Sequence, residues 1–410
     1  MLPKALKSAY DDIKQIHPGV KLVVLVIFLR MFGWGFVDPF FSIFVQEFNS
    51  SYTVVGLLEA ILGAVALFAI IPIMRIADRV KDTRIIEDGQ ILYFFAIVCY
   101  LLAGFFRSIP LLVFGLVLNG IAQPLVVIGS ESYIRKHDGV SGSSKAFGYY
   151  TALSYFGWIL GMIMAAFLVK YYNFTNMFLF VLPSIIFSFF ILPKIRENGI
   201  ASIIMGVRKY FHRVRDLKDI FSDIKSLDHK MIFIMILALF DGIIVMFSYV
   251  FIPLFAFSIN LPLNKVALLM AVMYMPFIFS FFFSEFTYKM KKTHVIAAGL
   301  FISTISFVLL SFLVHHYWIV VLAAMISLSI AIIRPAYNGM ITSMTPRSMM
   351  GEVTGLNNFV IRIGYIIGPI FTGLVADHFG IKTAFLAIAA LSFILGMVTL
   401  FVRGYDYLKA

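Results

Sequence analysis

Residues Met231 to Ala256 read MIFIMILALFDGIIVMFSYVFIPLFA, an apolar run broken by one charge, Asp241. An α-helix needs about 20 apolar residues to cross the hydrocarbon of a bilayer, whereas a helix on a soluble protein keeps one polar face. The run is therefore read as a transmembrane span, and the rest of the chain resembles it. Of 410 residues 61% are hydrophobic and 13% charged, with 45 Phe, 20 Met and 19 Tyr, and the mean hydropathy is +0.97. Soluble domains are about half apolar and a quarter charged. A water-soluble fold would expose more apolar surface than it could hide.

Apolar runs between polar breaks predict spans at 22–43, 53–74, 85–106, 110–132, 147–169, 174–193, 231–256, 266–288, 294–313, 317–342, 353–375 and 382–402. The first, beginning near Lys21, is too long for the core of a cleavable signal and has no small-residue cleavage site after it, so it is expected to be kept. The expected fold is an all-α polytopic membrane protein with twelve transmembrane helices in two six-helix bundles. Residues 22–193 and 231–402 form the bundles. Residues 1–21 form an N-terminal segment, 194–230 a linker and 403–410 a tail. In the linker Ile200, Ile203, Ile204, Val207, Phe211, Val214, Leu217, Phe221 and Ile224 recur at three and four residues among nine Lys and Arg. That pattern predicts helices lying on an anionic leaflet, and Lys4 to Ile16 reads the same way.

Lys and Arg set the orientation. Of 33, 26 fall on the side that holds both termini, four on the other side (Arg107, Lys170, Lys265, Lys382) and three, Arg30, Arg334 and Arg362, within spans. Both termini are expected in the cytoplasm and the chain in the plasma (inner) membrane, as a monomer. The halves also repeat. Asp82-Thr83-Arg84-Ile85-Ile86 with Gly89 aligns with Lys292-Thr293-His294-Val295-Ile296 and Gly299. Gly148, Gly157 and Gly161 align with Gly355, Gly364 and Gly368, and Gln123-Pro124 with Arg334-Pro335, all at nearly one offset. Paired repeats in transporters place a binding site near the bilayer midplane.

Between the second and third spans, Met74-Arg75-Ile76-Ala77-Asp78-Arg79-Val80-Lys81-Asp82-Thr83-Arg84 resembles the signature loop of the major facilitator superfamily. It keeps the Ala-Asp-Arg core and the basic residues that follow, with Met74 and Lys81 at the glycine positions. The resemblance covers nearly the whole chain and implies alternating-access transport of a small solute by two rocking bundles. Read physically, Asp78 is placed to meet the N-terminus of the eleventh helix near Glu352 while Arg79 and Arg84 pair with acids such as Glu131 or Glu352. The resemblance favours this cytoplasmic gate over the competing reading of ordinary cytoplasmic basic charge. The proton-coupled drug exporters of the superfamily carry an arginine in the fourth helix and Gly-Pro in the fifth. Here the fourth reads Leu118-Asn119-Gly120-Ile121-Ala122-Gln123-Pro124, and Gly-Pro appears in the eleventh, at Gly368-Pro369.

A charge at the centre of an isolated span costs about 2.5 to 3.5 kcal/mol on insertion scales, so each one wants a partner or a wet cavity. At 1.5 Å per residue, Arg30, Asp241, Arg334 and Arg362 lie about 12 to 15 Å from the cytoplasmic ends of their helices. Asp38 and Glu59 lie nearer the outer third. The resemblance puts the first, fourth, seventh and tenth helices around the cavity. Arg30, Trp34 and Asp38, spaced by four, share a face. Substrate is expected to meet Arg30, Trp34, Asp38, Asn119, Asp241, Arg334 and Arg362, with Asp241 answering either Arg30 or Arg334. The competing reading is a structural ion pair that does not titrate. Desolvated carboxylates suited to carrying protons are Asp38, Glu59 and Asp241. Tyr149, Tyr150, Tyr155, Trp158 and Tyr274 are read as packing or lipid-facing rings more readily than as a cavity lining.

Other functions fit less well. All eight histidines (His17, His137, His212, His229, His294, His315, His316, His378) lie in loops or at span ends, the single cysteine is Cys99, and no nucleophile and base stand together. No enzyme activity, metal, cofactor or nucleic-acid partner is expected. The partners are a small-molecule substrate, membrane lipid and protons. Within transport, efflux of amphipathic compounds stands beside uptake of a sugar or organic anion.

Overall fold

In the computed structural model, residues 16–77, 80–137, 139–195, 229–279, 290–313, 315–345 and 350–401 are described, with the side chains of 71, 75–77, 139–145, 350–352 and 354 excepted. Residues 1–15 of the N-terminal segment, the linker from 196 to 228 and the tail therefore lie outside the described residues, as do Asp78 and Arg79, while the last residues of that segment begin the first helix.

The first expected span is two helices, α1 (Pro18–Gly35) and α2 (Asp38–Gln46). Its apolar pattern is continuous, but Pro39 has no N–H to give the Gly35 carbonyl. The chain instead closes α1 with tighter bonds, Phe36 N–H to the Gly33 carbonyl (3.1 Å) and Val37 N–H to Trp34 (3.0 Å). The remaining helices are α3 (Tyr52–Ala77), α4 (Asp82–Phe106), α5 (Ile109–His137), α6 (Gly139–Leu168), α7 (Phe174–Ile191), α8 (His229–Ser258), α9 (Leu263–Ile278), α10 (Lys292–Phe312), α11 (His316–Met344), α12 (Met350–Phe379) and α13 (Ile381–Phe401). Eleven described helices are long and apolar enough to cross a membrane. The expected eighth span, 266–288, is represented by the 16-residue α9, and its continuation from 280 to 289 lies outside the described residues. The protein is a multi-pass integral membrane protein. Its outward rings suit lipid: Phe106, Phe312 and Phe401 are each about 70% exposed (71%, 69% and 74%).

The chain forms two compact units. One holds the described residues of Met1–Pro39 and Phe68–Arg213, the other those of Phe40–Leu67 and Val214–Ala410, so α3 begins in the second and ends in the first. In the first unit α1 packs on α6 and α7, and α4 on α5 and α7. In the second α8 packs on α12 and α11, and α10 on α11 and α13. The repeat seen in sequence thus reappears as matched helix pairs. Small residues bring these helices into backbone contact, the usual way of packing helices in lipid. A side chain at Gly157 would strike the Phe28 carbonyl and one at Gly161 the Phe32 carbonyl. In the other half Gly364 meets Leu239 and Gly368 meets Ile243 in the same way. The α4–α5 and α10–α11 crossings match too, Gly89 lying on Val126 and Gly299 on Ile333.

Candidate functional site

Among the described charged residues of the second unit, Asp241 of α8 is the most buried, 4% exposed. Its Oδ2 accepts from Arg334 of α11 twice, from Nη2 at 2.8 Å and Nε at 3.1 Å. Tyr337, one turn further along α11, donates its hydroxyl to the same oxygen at 3.2 Å. Spacing by three puts Arg334 and Tyr337 on one face of the helix. Phe277 of α9 flanks the guanidinium, 5.9 Å from its ring centroid. Of the two partners open to Asp241 in the sequence, the structure therefore gives it Arg334. The carboxylate is neutralised by a fork of charge-assisted bonds, which is the condition for burying it at all.

In the first unit Arg30 of α1 is 5% exposed. Its Nη1 donates to Gln90 Oε1 at 3.3 Å, and its guanidinium lies over the Tyr93 ring at 3.8 Å. Gln90 and Tyr93 sit together on α4, and Trp34 packs near Tyr93 with ring centroids 6.3 Å apart. Trp34 Nε1 donates to Asp38 Oδ1 at 2.8 Å. The expected shared face of Arg30, Trp34 and Asp38 thus holds as far as Trp34 and Asp38 touch, although a helix break separates them. Tyr150 of α6 lies within electrostatic reach of both Arg30 and Glu131.

The glycine contacts fix how the two sites correspond. Arg30 lies midway between Phe28 and Phe32, whose carbonyls take Gly157 and Gly161, and Asp241 midway between Leu239 and Ile243, whose carbonyls take Gly364 and Gly368. Arg30 and Asp241 are equivalent positions of the repeat carrying opposite charges.

The other expected residues are spread out. Asn119 is buried on α5 and Glu59 on α3, while Arg362 is half-buried on α12. Of the residues expected at a cytoplasmic gate, Arg84 does not reach Glu131. It pairs on its own helix with Glu87 (2.9 Å) and Asp88 (3.0 Å), and Glu131 pairs with Arg135 at 3.3 Å. Acids three and four residues away on the same helix are the nearest partners available to such side chains. The side chain of Glu352 is outside the described residues. Among the aromatic candidates Tyr155 stacks on Trp158 at 6.3 Å, Tyr274 stacks on Tyr249 at 4.8 Å, and Tyr149 joins the apolar core around α1.

Sequence reasoning missed Gln90, Tyr93 and Tyr337. It also missed Asp377, near the end of α12, which caps the start of α3. Asp377 accepts from the Ser51 hydroxyl at 2.5 Å and from the N–H groups of Tyr52 and Thr53, both at 2.8 Å. Below that cap, a side chain at Gly373 would meet Tyr52 and one at Gly56 the Pro369 carbonyl. The Asn49-Ser50-Ser51 run ahead of an apolar helix marks the helix start, but nothing in it points to Asp377.

Helices this apolar, arranged as two glycine-matched repeats with buried charge at their core, define a polytopic membrane transporter. The pattern described as Major Facilitator Superfamily matches residues 23–287 and 234–409, and the chain belongs to that family. It is a secondary transporter of small molecules and not an enzyme. Multidrug resistance protein 1 of Bacillus subtilis (strain 168) is 25% identical over 368 residues, 88% of this chain and 90% of that protein. Multi-drug resistance efflux pump PmrA of Streptococcus pneumoniae serotype 4 is 28% identical over 110 residues, 27% of each chain. Among solved structures, a variant of the nucleoside transporter NupG superposes with a TM-score of 0.75 at 14% identity, covering 93% of this chain and 99% of that one.

Proposed function

We propose that the protein exports amphipathic compounds by alternating access in exchange for protons. The observation that carries the reading is the buried Asp241, held by Arg334 and Tyr337 through a single oxygen. Such a pair has two states. Deprotonated, Asp241 holds the guanidinium; protonated, it gives up the ion pair and frees Arg334 and Tyr337 for another acceptor. Carboxylates buried within membrane spans are the groups from which transporters build proton relays. Asp38 and Glu59 are the other proton carriers of this reading, and Asn119 and Arg362 complete its substrate contacts. The near full-length likeness to a multidrug resistance protein supports the outward direction.

In this reading the chain works as a monomer in the plasma (inner) membrane with both termini cytoplasmic. Residues 22–193 and 231–402 are the moving bundles, and the basic linker 194–230 lies on the inner leaflet. Asp78, Arg79, Arg84, Glu131 and Glu352 form the cytoplasmic gate. The contact of Asp377 with the start of α3 is the outer closure that must open in each cycle. The test is reconstitution into liposomes with an imposed pH gradient, with lumenal pH followed while a panel of amphipathic cations, anions and neutral solutes is added. Export coupled to protons gives a solute-dependent pH change that both Asp241→Asn and Asp38→Asn reduce. Gradient-driven accumulation surviving in both variants removes the proton role. A second reading, uptake of an organic anion, is favoured by Arg30.

A further inference from the structure

The two buried charges are balanced differently: Asp241 has a guanidinium partner in its own unit, whereas Arg30 meets only an amide and a ring. Asp241 is bound by a guanidinium and a phenol, those of Arg334 and Tyr337. Around Arg30 the same kinds of donor are assembled, a guanidinium, the phenol of Tyr93 and the amide of Gln90. Among the described residues Arg30 has no carboxylate partner and bonds only a neutral amide oxygen. Gln90 is fully buried and Tyr93 is 1% exposed, yet Gln90 Nε2 and Tyr93 Oη have no hydrogen-bond partner there. Burying a charge without a counter-charge is costly, and so is each buried donor left unpaired. A guanidinium with free donors beside it is the arrangement that recognises a carboxylate through a fork. Trp34 and Tyr93 supply aromatic wall beside it. The neighbouring acid, Asp38, is engaged by Trp34.

We propose that Arg30, Gln90 and Tyr93 form a receptor for the carboxylate of an aromatic or otherwise apolar organic anion, the solute supplying the counter-charge that no described carboxylate gives Arg30. The inference rests on the transport reading for its meaning but names the substrate class of the site separately. Bound there, the anion would accept from the Arg30 edge not used by Gln90 and from one or both of the unpartnered donors. A cation would be repelled, and a neutral amide would leave the charge unmatched.

The test is equilibrium binding of labelled benzoate to the purified full chain in detergent, with benzamide and benzylamine as competitors of the same size. No gradient is applied, so the outcome does not depend on coupling or direction. Benzoate is expected to bind saturably, and neither competitor to displace it. Tyr93→Phe keeps the ring under the guanidinium and removes only the hydroxyl, and Gln90→Leu removes the amide. Loss of one hydrogen bond to a charged ligand is worth about tenfold in affinity, so at least one of the two is expected to weaken binding by that factor. Arg30→Gln is expected to abolish it. No saturable binding by the folded wild type, unchanged affinity in both Tyr93→Phe and Gln90→Leu, or equal competition by benzylamine each overturns the proposal. Binding with no transport of any solute would instead fail the transport reading alone.

Discussion

Asp241 presents one oxygen to both Nε and Nη2 of Arg334, at 3.1 and 2.8 Å, and the side chain of Arg334 keeps 30% of its exposure while that of Asp241 keeps 1%. The pair is therefore lopsided: the acid depends on the base more than the base on the acid. Removing one partner of a buried ion pair is destabilising because the other is left uncompensated, by about 3 kcal/mol at the low end. Arg334→Ala strands a carboxylate with only the Tyr337 hydroxyl for support, whereas Asp241→Asn strands a guanidinium that is still partly solvated. Thermal unfolding of the purified protein is expected to show the larger loss for Arg334→Ala. The double variant Asp241→Asn/Arg334→Ala is expected to recover part of it. A double variant whose loss equals the sum of the two singles would show that the residues are energetically independent.

The glycine contacts give a second prediction with its own internal control. Alanine at Gly161 or Gly364 would collide with a facing backbone carbonyl, whereas Gly148 and Gly355, repeat partners of the same kind, have nothing within 4 Å. Backbone cannot yield as a side-chain tip does, so the collision forces α1 from α6, or α8 from α12. Overpacking of this kind costs about 1 to 3 kcal/mol. Gly161→Ala and Gly364→Ala are expected to lower the unfolding temperature clearly. Gly148→Ala and Gly355→Ala are expected to hold it or raise it slightly, since alanine is the better helix former. Equal losses at all four positions would remove the packing explanation.

These glycines also mark what the sequence made legible. Helix–helix crossings in lipid are built from small residues at fixed spacing, so the repeat of Gly157 and Gly161 in Gly364 and Gly368 survives as a pattern along the chain. Depth along a helix is read from the constant rise per residue, and Asp241 and Arg334, given the same depth within their helices, do meet in the second unit. Rotation about the helix axis and the approach of one helix to another are not encoded locally, and for that reason Asp241 had two candidate partners. Gln90, Tyr93 and Tyr337 were hidden for a related reason: two are among 19 tyrosines, and nothing in sequence separates a tyrosine under a guanidinium from one in lipid. The break after Gly35 was masked by unbroken hydrophobicity, although Pro39 was there to be weighed. Arg84 illustrates another limit: its partners Glu87 and Asp88 stood one turn away on its own helix and were not weighed.

Asp377 yields a third prediction. Three donors at the start of α3 converge on its carboxylate, which joins an N-cap with a charge at the positive end of a helix. Alternating access by the reading proposed above has to break this contact in every cycle. In a Cys99→Ser background, Ser51→Cys with Asp377→Cys is expected to cross-link on mild oxidation, to arrest transport, and to recover when reduced. Turnover at the unlinked rate while cross-linked would mean that α3 and α12 stay joined throughout, and the outer closure would have to be sought elsewhere.

The orientation of the chain can be tested with the same cysteine-free background. Lys170 and Lys382 are exposed and belong to the side with four basic residues, while Arg135, whose side chain is 68% exposed, belongs to the side with 26. The charge bias sets topology because basic loops resist translocation. An impermeant maleimide added to intact cells is therefore expected to label Lys170→Cys and Lys382→Cys promptly and to spare Arg135→Cys until the cells are opened. Lys170 lies just past the end of α6 and Lys382 opens α13, so the two positions probe different halves of the chain. Their agreement requires an even number of crossings between them, and this tests the passage through α9, where only 16 residues of helix are described. Labelling of Lys170→Cys but not Lys382→Cys would mean that α9 and the residues from 280 to 289 do not complete a span, and the second half would then cross the membrane an odd number of times.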